Sequence, residues 1–270
     1  LGGPPWSVFR TLSVLPGPAI EVWRSSRAGR ARELLRILEV PSHLPAVVRV
    51  PTRKEALLLA SGLVRHSGVA VVHRGLGARE RKTEMQRFLT GDADTLITTG
   101  AINDMPVGRG IRLLVHAGLP ASLDGWVSDL ACLDGEQDPR ALLLVTPTDR
   151  DARDSLAGMS RWDASQLREV LAKVPPEGMD RDAFEALAGP EPEVVTAAVD
   201  ALCEAGAVTC SAAGHLDLTH NSWESRWAGI SALRNRLVDE VEAFLDAGGC
   251  RHDALIRAYG QVSQGSCGRC

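Results

Sequence analysis

Apolar positions recur along this chain with two different periods. Between residues 46 and 146 the short runs AVVRV (46–50), VAVVH (69–73), TLITT (95–99), RLLVHAG (112–118) and ALLLVT (141–146) have strand length. Between them, TRKEALLLASGLVRH (52–66), ARERKTEMQRFLTG (78–91) and residues 123–133 carry their apolar residues at helical spacing and are predicted helices. RAGRARELLRILE (27–39) sets Leu34, Leu35 and Leu38 on one face with arginines opposite, a further amphipathic helix. Near-continuous apolar strands alternating with helices call for a parallel sheet covered on both faces, because such strands have no face left for water. Residues 1–25 show little periodicity and many Gly and Pro. One α/β domain is therefore expected over residues 1–150.

The second half changes rhythm. TPTDRDARDSLAGMSRW (146–162) is polar, and residues 151–160 read as a linker. Helices are predicted at 163–174, 180–188 and 191–205, with Gly189–Pro190 separating the last two. AVTCSAAGHLDLT (207–219) then reads as a hairpin around Ala-Ala-Gly. Three short helices followed by a hairpin is the order of an α+β winged helix, placed at 161–220. Residues 223–247 form one long amphipathic helix with Ile230, Leu233, Leu237, Val238 and Leu245 on its apolar face. That helix delivers the chain to Cys250 and to a small α module that completes 221–270.

Composition narrows the picture. In 270 residues, 44% hydrophobic and 24% charged side chains suit a chain with a sizeable core, and no apolar run is long enough to cross a bilayer. No basic segment leads into an apolar one at the start, so no secretory signal is visible and a cytoplasmic location is the default, nucleoid-associated if the source is bacterial. The first residue is Leu1 rather than Met, and the expectation is that the chain is a fragment. The net charge of −4 is unevenly spread. Residues 161–220 hold four basic and eleven acidic side chains, a net of −7, whereas residues 1–160 hold 20 and 17, a net of +3. The third helix of the winged-helix region, EPEVVTAAVDALCEAG, has acids and no base. Affinity for DNA comes mainly from neutralising phosphates, so this helix is not expected in a DNA groove and fits a protein partner better.

The cysteines divide into two sets. Cys132, Cys203 and Cys210 lie among apolar neighbours and read as ordinary free thiols. Cys250, Cys267 and Cys270 form a Cys-x16-Cys-x2-Cys pattern, whose paired end can wrap a tetrahedral Zn²⁺. His252, at the start of a helix two residues after Cys250, is expected to point away from it. No Ser/His/Asp or Cys/His nucleophile arrangement and no phosphate-binding G-x-x-x-x-G-K-[ST] loop is present.

Two stretches carry a resemblance. VPTRKEALLLASGL, VVHRGLGARERKTEMQRFLTGDADTLITT and RLLVHAGLP resemble, in order, the second RecA-like lobe of RecQ-type superfamily 2 helicases. CRHDALIRAYGQ…CGRC resembles the zinc module of the same proteins, in which a fourth thiolate would fall three residues after Cys270. The resemblance implies a RecA-like lobe, a winged helix and a structural zinc module. It implies nucleic-acid contacts at Arg53, His73, Thr98 and Thr99, and single-stranded or branched DNA as partner. ATP and Mg²⁺ would be bound only together with an upstream lobe. The expected function is the C-terminal part of an ATP-dependent RecQ-like DNA helicase acting in unwinding or repair.

The departures point the other way. Where such helicases have a Gly-Met-Gly turn, this chain has Asn103-Asp104-Met105. The positions of the arginine fingers, which stabilise the transferring phosphoryl group, fall on Ala131 and Asp134, with Val127 at the preceding Gln position. No arginine lies between Arg112 and Arg140, leaving Arg109 or Arg140 to substitute in space. The alternative is therefore a catalytically degenerate helicase-like scaffold or regulatory subunit, separated from the helicase by whether a Walker loop precedes Leu1. A transcription regulator built on the winged helix is a third, weaker reading, opposed by the −7 charge there.

Overall fold

The computed structural model describes residues 17–63, 68–73, 75–99, 109–133, 138–149, 162–188, 192–211, 214–219, 222–262 and 265–270. Six parallel strands form the first sheet: β1 (Ala19–Arg24), β2 (Ala46–Val50), β3 (Val69–Val72), β4 (Thr95–Thr99), β5 (Leu113–His116) and β6 (Arg140–Val145), in the order β1-β6-β5-β2-β4-β3. Four helices accompany it: α1 (Arg27–Leu38), α2 (Arg53–Leu63), α3 (Ala78–Thr90) and α4 (Leu123–Leu130). Connections running one way along the sheet place α1 and α2 on one face, and the return connections place α3 and α4 on the other, as right-handed crossovers require. Each face has its own core: Leu34, Ile37, Leu59 and Leu63 against Val48, Val115 and Leu144 on one side, Phe88 and Trp126 against Val47, Leu114 and Leu143 on the other.

The predicted strands and helices of residues 27–146 are present, most of them within a residue or two at each end; α4 is three residues shorter at its C-terminal end, and the last residues of the helix expected at 52–66 lie outside the described residues. The exception is β1, which falls where little periodicity was read. Its alternation is present, Ile20 and Val22 toward the core with Glu21 and Trp23 on the opposite face, but Gly17 and Pro18 mask it in the sequence. As an edge strand it needs only one apolar row, which gives a weaker signal than the buried central strands.

The second half contains α5 (Ala164–Leu171), α6 (Arg181–Ala188) and α7 (Pro192–Ala205), with an antiparallel sheet of β7 (Met179–Asp180), β8 (Val208–Cys210) and β9 (His215–Leu218) in the order β7-β9-β8. The expected linker at 151–160 lies outside the described residues. The long helix α8 (Trp223–Asp246) joins the two halves. Trp223 and Trp227 pack with Leu167, Ala198 and Leu202, and Val241, Phe244 and Leu245 pack into the core of the large sheet. Its expected apolar face is thus corrected at Leu233, which is 52% exposed. At about 3.6 residues per turn Trp223, Trp227, Val241 and Leu245 share one stripe, which meets a different core at each end, and Leu233 stands to the side of it. A last helix, α9 (Arg251–Ala258), seats Leu255 in the same core as Ile20.

Candidate nucleic-acid edge and thiolate centre

In open parallel sheets, ligands are taken at the carboxyl ends of the strands. That edge carries three of the four expected nucleic-acid contacts at strand ends, His73 after β3 and Thr98 and Thr99 in β4, with Arg53 opening α2 beside them. Arg53 is exposed, while His73, Thr98 and Thr99 are buried at 3%, 1% and 9% exposure. The Thr98 hydroxyl donates to the Thr99 carbonyl at 3.1 Å. His73 Nδ1 has no partner among the described residues. A Cβ placed on Gly75 would lie 3.0 Å from Arg53 Nη1 and 3.2 Å from His73 Nδ1, so the glycine lets all three crowd together. A cleft of about 410 Å³, lined by Leu57, His73, Leu76 and Arg79 and also by the carboxylates Glu80 and Glu84, opens beside β3.

The crevice between β2 and β5 is the point where connections leave for opposite faces, the usual ligand position in such folds. Here it is filled by the protein itself. Arg49 Nη1 of β2 lies 2.5 Å from Asp129 Oδ2 of α4, and His116 Nε2 of β5 lies 2.9 Å from the same oxygen, off the hydrogen-bond direction. Trp126 packs edge-on against His116, with ring centroids 4.7 Å apart. Burial pushes the His116 imidazole below its ordinary value of 6.5; Asp129 opposes this and Arg49 adds to it. Burial beside Asp129 pushes the Cys132 thiol up to about 12, which removes it as a nucleophile. On the other face Arg30 bridges Asp149 at 2.5 Å and Glu55 at 2.7 Å. In the sequence His116 is only one position of the run RLLVHAG, and Arg49, Asp129 and Arg30 belong to no motif singled out there. The available signal was a charged residue inside the apolar run AVVRV, which must find a partner once buried.

The two candidate replacement arginines are both spent elsewhere. Arg109 donates to Ala93 O and to Asp94 Oδ1 and lies over the Phe88 ring, at the start of β4. Arg140 opens β6, where it bonds Glu21 and reaches His43 Nε2 at 2.9 Å. Both stand at the amino-terminal edge of the sheet, Arg109 beside the start of β4 and Arg140 at the start of β6, opposite the ligand edge. Ala131 caps α4 at its C-terminus, while Asp134 and Asn103-Asp104-Met105 lie outside the described residues. The acidic helix α7 is the central helix of its unit, with Ala198, Val199, Ala201 and Leu202 buried. Asp200 pairs with Arg181, and Glu204 with Arg234 of α8.

Cys250, Cys267 and Cys270 converge, with all three Sγ atoms within 4.8 Å of one another. Cys250 and Cys270 are 3.8 Å apart, and Cys267 and Cys270 3.3 Å. Thiolates around a tetrahedral zinc, each about 2.3 Å from the metal, would sit about 3.8 Å apart, so the set fits a metal without rearranging the chain. Backbone amides already serve the sulfurs: Cys267 N–H donates to Cys250 Sγ at 3.3 Å and Arg269 N–H to Cys267 Sγ at 3.4 Å. Burial alone would raise the Cys250 thiol, but donation from the Cys267 and Asp253 amides and from the two other thiols brings it down to about 7. His252 is turned away, with Nε2–H donating to the Pro18 carbonyl at 2.7 Å. The cluster can hold a metal ion. No fourth protein ligand joins it among the described residues.

No protein-family model matches the chain. It is 24% identical over 167 residues to a probable ATP-dependent DNA helicase, RecS, of Bacillus subtilis, covering 60% of this chain and 34% of that protein. It is 30% identical over 164 residues to DEAD-box ATP-dependent RNA helicase 41 of Oryza sativa, covering 57% of this chain and 29% of that protein. The chain therefore spans about a third of the length of the curated relatives it matches. Among solved structures it is similar to the C-terminal domain of the DEAD-box protein Dbp5, at 16% identity and a TM-score of 0.42, covering 52% of this chain and 83% of that one. It is also similar to Saccharomyces cerevisiae Dbp5 bound to RNA and ADP BeF3, at 15% identity and a TM-score of 0.41, covering 52% and 39%. The chain is thus similar, at low identity, to helicases, one named for DNA and others for RNA.

Proposed function

We propose that the chain is the second RecA-like lobe (1–150), winged-helix unit (161–220) and zinc module (221–270) of a helicase-like protein, and that its lobe binds single-stranded nucleic acid without completing an ATPase site. The observation that carries this is the Arg49–Asp129–His116 cluster in the β2/β5 crevice. A carboxylate holds the arginine nearest the switch point, and Arg109 and Arg140 are engaged at the far edge. A guanidinium stabilises a transferring phosphoryl group only when it is free to approach it. Zinc on Cys250, Cys267 and Cys270 would brace the last helix and take no part in chemistry. The acidic α7 does not enter a nucleic-acid groove, because it is packed among neighbouring helices with Asp200 and Glu204 paired within the chain.

The test is oligonucleotide binding together with ATP turnover. The expected outcome is binding of oligo(dT) or oligo(rU), the stronger of the two deciding between DNA and RNA, with no ATP hydrolysis stimulated by either, including when an upstream lobe is joined. Stimulated hydrolysis would return the reading to an active RecQ-like DNA helicase or an RNA helicase, which the sequence similarities favour. Failure to bind both oligonucleotides would sink the nucleic-acid reading.

A further inference from the structure

The thiolate cluster lies against the start of the strand that sequence reading missed. Arg269, between two of the cysteines, sends Nη1 to the Gly17 carbonyl at 3.1 Å and pairs with Asp138 just before β6. His252, two residues from the third cysteine, donates to the Pro18 carbonyl. Gly17 and Pro18 immediately precede β1, and Ala19 N–H donates to the Pro139 carbonyl beside Asp138. A Cβ on Gly17 would meet His252 Cε1 at 2.4 Å, so the backbone and the ring are in close contact. Farther along, Arg24 Nη2 at the end of β1 reaches Asp246 Oδ1, and Leu255 of α9 shares a core with Ile20.

We infer that His252 and Arg269 make the thiolate cluster a clasp on β1, so that filling the site with a metal and seating the edge strand are one coupled equilibrium. This rests on the metal reading of the three cysteines. The physical reason is local. Arg269 is two residues from Cys267 and adjacent to Cys270, and its own amide donates to a thiolate. A metal that fixes both sulfurs fixes the backbone that aims the guanidinium. Cys250 is the N-cap residue of α9, so the same ion fixes the first turn, which carries His252. Without it, two side chains must be ordered at their own entropic cost to hold two carbonyls of a Gly-Pro segment. β1 pairs only with β6 among the described residues, so these contacts weigh heavily on whether it stays in the sheet. By reciprocity, seating β1 strengthens metal binding by the factor by which metal protects β1.

Hydrogen exchange on the chain loaded with Co²⁺ or stripped of metal tests this, with the cobalt–thiolate absorption reporting occupancy. Loading is expected to slow exchange over residues 17–24 about tenfold relative to residues 95–99 of the buried β4. The double variant Arg269→Ala, His252→Ala should keep the cobalt–thiolate absorption and lose that protection. If removing metal unfolds the whole chain, β4 exchange rises as well, and the loaded double variant decides. Equal protection of 17–24 in the loaded double variant and the loaded parent would overturn the clasp. Absence of any cobalt–thiolate absorption would instead remove the metal reading on which it stands.

Discussion

At the scale of single residues, the most telling side chain is Asp129. It is 5% exposed and accepts from Arg49 across the crevice where a ligand would otherwise sit. Replacing it strands a buried guanidinium without its counter-ion, and breaking such pairs costs about 3–5 kcal/mol because the remaining charge stays desolvated. Asp129→Ala should therefore lower the urea midpoint strongly, whereas Asp129→Asn, which still accepts a hydrogen bond, should cost less. If the alanine variant is as stable as the parent, Arg49 is already solvated and the crevice is not closed by this pair. The cysteines show the same dependence on surroundings. Burial beside a carboxylate makes Cys132 inert, while amide donors make Cys250 a good thiolate, though neither difference is written in the residue type.

At the scale of elements, α8 is the instructive case. Its 24 residues span about 36 Å. Its two ends bury one and the same stripe, Trp223 and Trp227 against one core and Val241 and Leu245 against another, and Leu233 stands to the side of that stripe. Leu233→Gln should stay within about 0.5 kcal/mol of the parent, as exposed substitutions usually do. Phe244→Ala, which empties a 3%-exposed position against the sheet, should cost about 3–5 kcal/mol. Thermal melts of the two variants check the contrast, and equal losses would mean that α8 is packed along its whole length. β1 teaches the complementary lesson: its Ile20/Val22 alternation is short and follows Gly17–Pro18, and an edge strand announces itself with only one apolar row.

Across the whole molecule, charge and topology are unevenly distributed in a way that bears on function. The sheet half of the chain carries the net positive charge and the carboxyl edge, while residues 161–220 are strongly acidic. Oligonucleotide binding should therefore weaken as salt rises from about 50 to 200 mM, with a shallow slope reflecting few phosphate contacts. Arg53→Ala should weaken binding uniformly across sequences and reduce the slope by about one. An unchanged slope in that variant would move the interface off this edge.

The sequence by itself determined the alternation of strands and helices, the parallel sheet and the three-cysteine pattern. Each depends on local periodicity or spacing, and local terms survive reading one residue at a time. Only the tertiary structure decided that Arg49, His116 and Asp129 meet, that Arg109 and Arg140 lie at the opposite edge, and that Arg269 and His252 reach the start of β1. The longest of those pairings join residues 80, 119, 234 and 252 positions apart. Strand order sets them, and strand order follows from which crossovers bury both faces of the sheet together, a property of the whole chain that no window of the sequence contains.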